Sequence, residues 1–144
     1  MVEIVDNWFG AEGERDGMPT FMRGRGELQP LIGLPSHPNL LRITWEFEPE
    51  DPSGLPSPAL QQRMMGFEEA FMDPLEEEPL CIFYFVYLHD GAKEWSAYCS
   101  DIERTGQVFN AALAGHEAYP VELTVENDPG WADYQAMLEG VGEL

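Results

Sequence analysis

Two cysteines, Cys81 and Cys99, and three histidines, His37, His89 and His116, are the residues suited to redox or metal chemistry. The cysteines stand almost symmetrically about Asp90-Gly91, a hairpin turn signal, so the turn sets them opposite or diagonal to each other. Such a pair fits a redox couple or half of a metal site. We read it instead as two small buried hydrophobes, the usual behaviour of free cysteine. Zinc needs four nitrogen or sulfur ligands at suitable spacing, and His89, at the turn, lies far along the strand from both sulfurs. Each histidine falls in a loop or near the end of an element. No Ser or Cys occupies a nucleophile-elbow context, and there is no HExxH. Gly24-Arg25-Gly26 is too short for a phosphate loop. A Ser–His–Asp site assembled from distant positions stays open, because such triads are defined by geometry. Acidic residues are plentiful enough to pair by chance, so no glycosidase-like couple can be read. Asn127-Asp128-Pro129-Gly130 lacks calcium-loop spacing and reads as a turn, with Asp128 capping the helix beyond it. The expectation is a protein without catalytic residues, cofactor or metal.

Charge is the strongest global signal. The chain carries 27 acidic residues against 7 basic ones, a formal net charge of −20. Phosphate binding needs clustered Lys and Arg, so nucleic acid is not an expected ligand. An anionic membrane surface is disfavoured for the same reason. Solubility alone asks for a net charge of about 2–8 on a small domain. The excess costs stability through self-repulsion, which points to a basic partner. With 44% apolar and 12% aromatic residues, the chain has too much core material for a disordered acidic tail. Its 144 residues are the length of one domain, 1–144, and allow about two-thirds of the unfolded surface to be buried. No run is long enough for a transmembrane helix and no signal peptide is evident, so a reducing cytoplasm is expected.

The elements that must position these residues follow from pattern. Residues 1–39 read as an irregular segment with a possible edge strand between Pro19 and Leu28, and residues 40–144 as the core. Leu41, Ile43, Trp45 and Phe47 alternate with Arg42, Thr44, Glu46 and Glu48 in a strand. Ser57-Pro58 starts a helix whose apolar stripe is Leu60, Met64, Phe67, Phe71 and Leu75, with Pro74 ending or kinking it. Leu80 to Leu88 is a strand covered on both faces, and Lys93 to Cys99 returns beside it. Asp101 caps a helix running to about Ala114, ahead of Gly115. Val121, Leu123 and Val125 alternate in a last strand, and Trp131 to Leu138 is a short terminal helix. The order βαββαβ predicts an α+β, ferredoxin-like two-layer sandwich with an extra N-terminal strand or segment and a short C-terminal helix. In it Leu80–Leu88 lies at an edge for which it is too apolar, so the segment near Thr20–Leu28 is expected to pair with it or cover it.

The candidate partner-binding residues are Glu46, Glu48, Glu68, Glu69, Glu76, Glu77 and Glu78, from one strand and from one helix and its end. Glu68 and Glu69 are expected to point outward. Such a surface speeds the encounter with a basic partner. Trp8 is either a docking anchor or a cover for a sheet edge.

Several strings, in order, carry a resemblance: Gly54-Leu55-Pro56-Ser57, Phe67-Glu68-Glu69-Ala70, His89-Asp90-Gly91 before Glu94-Trp95 and Tyr98, Tyr119-Pro120, and Asn127-Asp128-Pro129-Gly130-Trp131-Ala132-Asp133-Tyr134. From about Trp8 to Leu138 the chain resembles a bacterial family catalogued as domain of unknown function six-nine-five. The resemblance implies a small acidic domain, sometimes found beside domains like regulator B of ribonuclease E. It brings no catalytic residues to carry over. By analogy, similar small acidic proteins serve as immunity proteins beside secreted toxins. The leading expectation is therefore an immunity protein that neutralises a cognate bacterial toxin, such as a type VI secretion effector or nuclease, by covering its basic active site. A regulator of ribonuclease E or another RNA-processing enzyme is the alternative. A small-molecule binder or enzyme, using a pocket between sheet and terminal helix, is the second.

Overall fold

The computed structural model describes residues 8–15, 17–49, 52, 54–77, 80–89 and 91–142. Six strands form one antiparallel sheet: β1 Trp8–Arg15, β2 Met18–Arg25, β3 Asn39–Glu46, β4 Cys81–His89, β5 Ala92–Cys99 and β6 Val121–Asn127. Their spatial order is β1-β2-β4-β5-β3-β6. Three helices accompany them, α1 Pro58–Glu76, α2 Ile102–Ala112 and α3 Ala132–Gly142, with a 3-10 turn at Gln29–Leu31.

Side chains alternate along the central strands β3, β4 and β5, which bury both faces of the sheet there, whereas edge strand β6 is exposed beyond Val121, Leu123 and Val125 included. Leu41, Ile43 and Trp45 of β3 share one core with Met64, Phe67, Phe71 and Leu75 of α1 and Phe109 of α2. Leu40 of β3 and Tyr98 of β5 point the other way, onto Trp131, Tyr134 and Met137 of and beside α3. The result has three layers, with α1 and α2 on one face and α3 on the other. The two-layer reading places a short terminal helix at Trp131 to Leu138 but gives it no layer, because that segment carries little periodicity of its own; α3 runs over Ala132–Gly142. Phe67 is the hub of the first core, with ring centroids of Trp45, Phe71, Trp95, Tyr119 and Phe109 at 4.6–6.0 Å. Edge-to-face and tilted contacts of this kind add to simple burial.

Ser57 accepts the Leu60 N–H (3.2 Å) to cap α1, and Asp101 accepts the Arg104 N–H (3.0 Å) to cap α2. Pro74 neither ends nor breaks α1, which runs on to Glu76. So late in the helix, the hydrogen bond that proline forfeits is one of the last.

Residues 1–39 are less irregular than their composition suggests. They include the whole β1–β2 hairpin, in register from Trp8↔Arg25 to Arg15↔Met18. β2 pairs with β4 from Phe21↔Leu88 to Gly24↔Phe85, which removes the apolar edge. Gly24 is needed there, since a Cβ would stand 2.5 Å from the Phe9 ring. Gly91, at φ 75°, turns β4 into β5; Asp90, of the same turn signal, lies outside the described residues.

Candidate functional site

The chemistry-bearing side chains that converge do so on the α3 face of the sheet. Register explains why. Arg42 of β3 is the direct partner of Ser96 of β5, and Thr44 is the partner of Glu94. Across the other side of β5, Phe85 faces Ser96 and Tyr87 faces Glu94. Tyr84 shares this face with Ile82 by alternation, and the bulge between Phe83 and Phe85 brings Phe85 onto it as well. Helix α3 then lowers Asp133, from its first turn, onto Arg42.

Arg42 donates through Nε to Ser96 Oγ (3.2 Å) and through Nη2 to Asp133 Oδ2 (3.0 Å). The Tyr84 hydroxyl donates to the same carboxylate oxygen. Burial, reinforced by the Asp133 charge and hydrogen bond, holds the Tyr84 phenol far above its ordinary pKa. Burial is the largest single influence and works against the Arg42 charge, but Asp133, Tyr84 and Glu94 together outweigh it and the pKa is raised. At neutral pH Tyr84 is thus a fixed donor and Arg42 a fixed cation. Beside this trio opens a cavity of about 350 Å³, walled by Arg42, Phe85, Glu94, Ser96, Asp133 and Met137. A stacked ladder leads away from it along β4, with ring centroids 5.6 Å apart for Phe85–Tyr87 and 4.7 Å for Tyr87–His89. The arrangement can hold and orient a small polar group against an aromatic wall.

α3 is itself seated by polar contacts. Asp128 accepts the N–H groups of Ala132 (2.9 Å) and Asp133 (3.0 Å) and the Tyr98 hydroxyl (2.7 Å). Burial opposes this carboxylate, yet those three donors lower its pKa. Trp131, left-handed at φ 56°, stacks on Tyr98 at 4.3 Å and donates to the His37 carbonyl (3.0 Å). Packing and that bond hold a backbone conformation which tryptophan alone would avoid.

The glutamates singled out from sequence do not stand together as one bare surface. Glu46, Glu48, Glu69 and Glu77 are exposed, and Glu78 lies outside the described residues. Glu68 does not point outward: it accepts from Trp95 Nε1 (2.8 Å) and pairs with Arg23. Glu76 pairs with the buried Arg25 (2.7 Å) and accepts the Phe83 N–H (2.9 Å), beside the bulge. Both were drawn inward because α1 lies against the only arginines of β2. Trp8 is half-buried against the first core, and the Arg25 guanidinium lies 4.6 Å from its ring centroid. Cys81 and Cys99 are direct cross-strand partners, buried, with sulfurs 2.7 Å apart. The three histidines scatter: His37 meets Ser36, His89 meets Glu94, and His116 meets Tyr119. Among the described residues, no three His, Cys, Asp or Glu side chains are grouped to hold a metal.

Sequence reasoning passed over Arg42, Tyr84, Ser96 and Asp133 as a site. Arg42 and Asp133 are 91 positions apart, and only the strand register and the seating of α3 join them. The available signals were an arginine on the polar side of an otherwise acidic strand and Asp133 inside a turn-helix string. Comparison with curated proteins finds no match. The sequence pattern of the family of unknown function DUF695 matches residues 6–138, and the chain belongs to that family.

Proposed function

We propose that the protein is a non-catalytic inhibitor that works in the bacterial cytoplasm by covering a basic surface of a protein partner. A cognate toxin of the nuclease kind is the leading partner class, and an RNA-processing enzyme such as ribonuclease E the alternative. One observation carries the reading. Arg23, Arg25, Arg42 and Arg63 are each paired with a carboxylate of the chain itself. With these four cations already neutralised, little free positive charge offsets the net −20, and such an excess is the field that steers a cationic partner. The strand order β6-β3-β5-β4, with α1 and α2 as crossovers, supports a ferredoxin-like core extended by the β1–β2 hairpin and α3. Purifying the protein with the product of its adjacent gene tests the proposal. A stoichiometric complex that blocks that product's activity is the expected result. No complex at low salt, or an adjacent gene unrelated to toxins or RNA processing together with no basic ligand, would refute it. RNA-cleavage assays with and without the protein separate the two partner classes.

A second reading has its own observation, the half-open cavity of about 350 Å³ under α3 with Arg42, Glu94, Ser96 and Asp133 in its wall. Its size and convergent polar groups suit a small-molecule ligand. A metabolite screen by thermal shift tests it, with any hit expected to vanish in Arg42→Met.

A further inference from the structure

On the opposite face of the sheet, two clefts of about 210 and 300 Å³ share Arg23, Leu88 and Lys93 in their walls. Lys93 is the only lysine in the chain. It is half-buried, its Nζ 5.2 Å from the Trp95 ring centroid, and it forms no hydrogen bond or ion pair with any described residue. In a chain with 27 acidic residues that is an anomaly. An ammonium held half-buried among apolar groups has given up part of its water, and an anion arriving beside it recovers that cost. Burial lowers the Lys93 pKa; the Glu68 charge only partly offsets this, and the Arg23 charge adds to it. Glu68 does not accept from it: Arg23 and Trp95 Nε1 both donate to Glu68 Oε1, and the carboxylate acts on Lys93 only through its charge.

The local charge is that of two cations, Arg23 and Lys93, and one carboxylate, Glu68, which leaves one positive charge. Apart from Gln61, the remaining walls are apolar. Phe21 borders one cleft and Met65 the other, and they are 36% and 57% exposed, two of the few large hydrophobic side chains left open to water. We propose that the joined clefts bind a small amphipathic carboxylate, its head at Lys93 and Arg23 and its apolar tail along Phe21, Leu88 and Met65. A single negative charge balances the site, whereas a dianionic head would meet the full repulsion of the acidic chain. The volumes suit a ligand of small-molecule size. This site lies on the opposite sheet face from the Arg42 cavity and is independent of the partner-binding reading.

The single lysine makes the test direct. Protein labelled with ¹³Cε-lysine gives one lysine side-chain resonance, read while octanoate, 1-octanol or inorganic phosphate is titrated. Octanoate is expected to shift it saturably, with half-saturation near about 1 mM, and to raise the pH midpoint of Lys93. Octanol and phosphate are expected to give no saturable shift. Because Lys93→Met removes the reporter, binding to that variant is followed by calorimetry, where octanoate heat should be lost while the far-UV circular dichroism is unchanged. Octanol binding as well as octanoate, or Lys93→Met retaining affinity, would overturn the proposal by showing an apolar cleft alone. Phosphate binding as tightly as octanoate would overturn the amphipathic class. No saturable shift with octanoate would remove the site.

Discussion

Asp128 does two jobs with one carboxylate, capping α3 and accepting the Tyr98 hydroxyl. Asp128→Ala should therefore cost about 1–2 kcal/mol in urea unfolding, more than a cap alone on a free-standing helix. Its pKa is lowered in the fold, so its contribution is present above the unfolded value of about 4 and lost as pH falls through the lower folded value. The acid limb of the stability curve should flatten in the variant. Glu76 and Glu77 are neighbours with opposite fates. Glu76→Gln should cost about 3 kcal/mol by uncovering the buried Arg25, while Glu77→Gln should stay within about 0.5 kcal/mol. Cys81 and Cys99 should resist iodoacetamide in the native protein and react on unfolding, because their mutual hydrogen bond and burial raise the Cys99 pKa. The symmetry of the cysteines about a turn left two arrangements open, opposite or diagonal, and only the strand register makes them direct partners. The inward role of Glu68 and Glu76 was not legible, since nothing in a run of glutamates marks which ones will meet an arginine of a distant strand.

The elements with a strong period were legible, and those without were not. Helix α1 and strands β3 and β4 follow directly from the stripe at Met64, Phe67 and Phe71 and from the apolar run after Leu80. The pairing of β2 with β4 followed from a physical objection to an apolar edge. Strand β1 was invisible, because its sequence, WFGAEGER, mixes glycines and charges and takes its shape from pairing with β2. The third layer was hidden for a related reason: α3 owes its place to Asp128, Trp131 and Tyr134 more than to its own amphipathicity. Where periodicity did speak, packing is expected to be decisive. Phe67→Ala, at the centre of five aromatic contacts and fully buried, should cost about 3–5 kcal/mol by chemical denaturation. A loss under about 1 kcal/mol would mean that α1 does not seat on the sheet as described.

Across the whole molecule, charge is the dominant feature. Arg23, Arg25 and Arg42 of the sheet pair with carboxylates of the chain, while Glu46, Glu48, Glu69 and Glu77 stay exposed to water. An acidic surface of this kind acts through long-range attraction, which salt screens over a Debye length of about 8–10 Å. The most direct measurement is the association rate with the purified product of the adjacent gene, followed from about 0.05 to about 0.5 M salt for the native chain and for the Glu46→Lys, Glu48→Lys, Glu69→Lys, Glu77→Lys variant. The expected result is a rate that falls steeply with salt and is reduced at least about tenfold by the reversals at low salt. A rate indifferent to both salt and charge reversal, or no association at all, would contradict it.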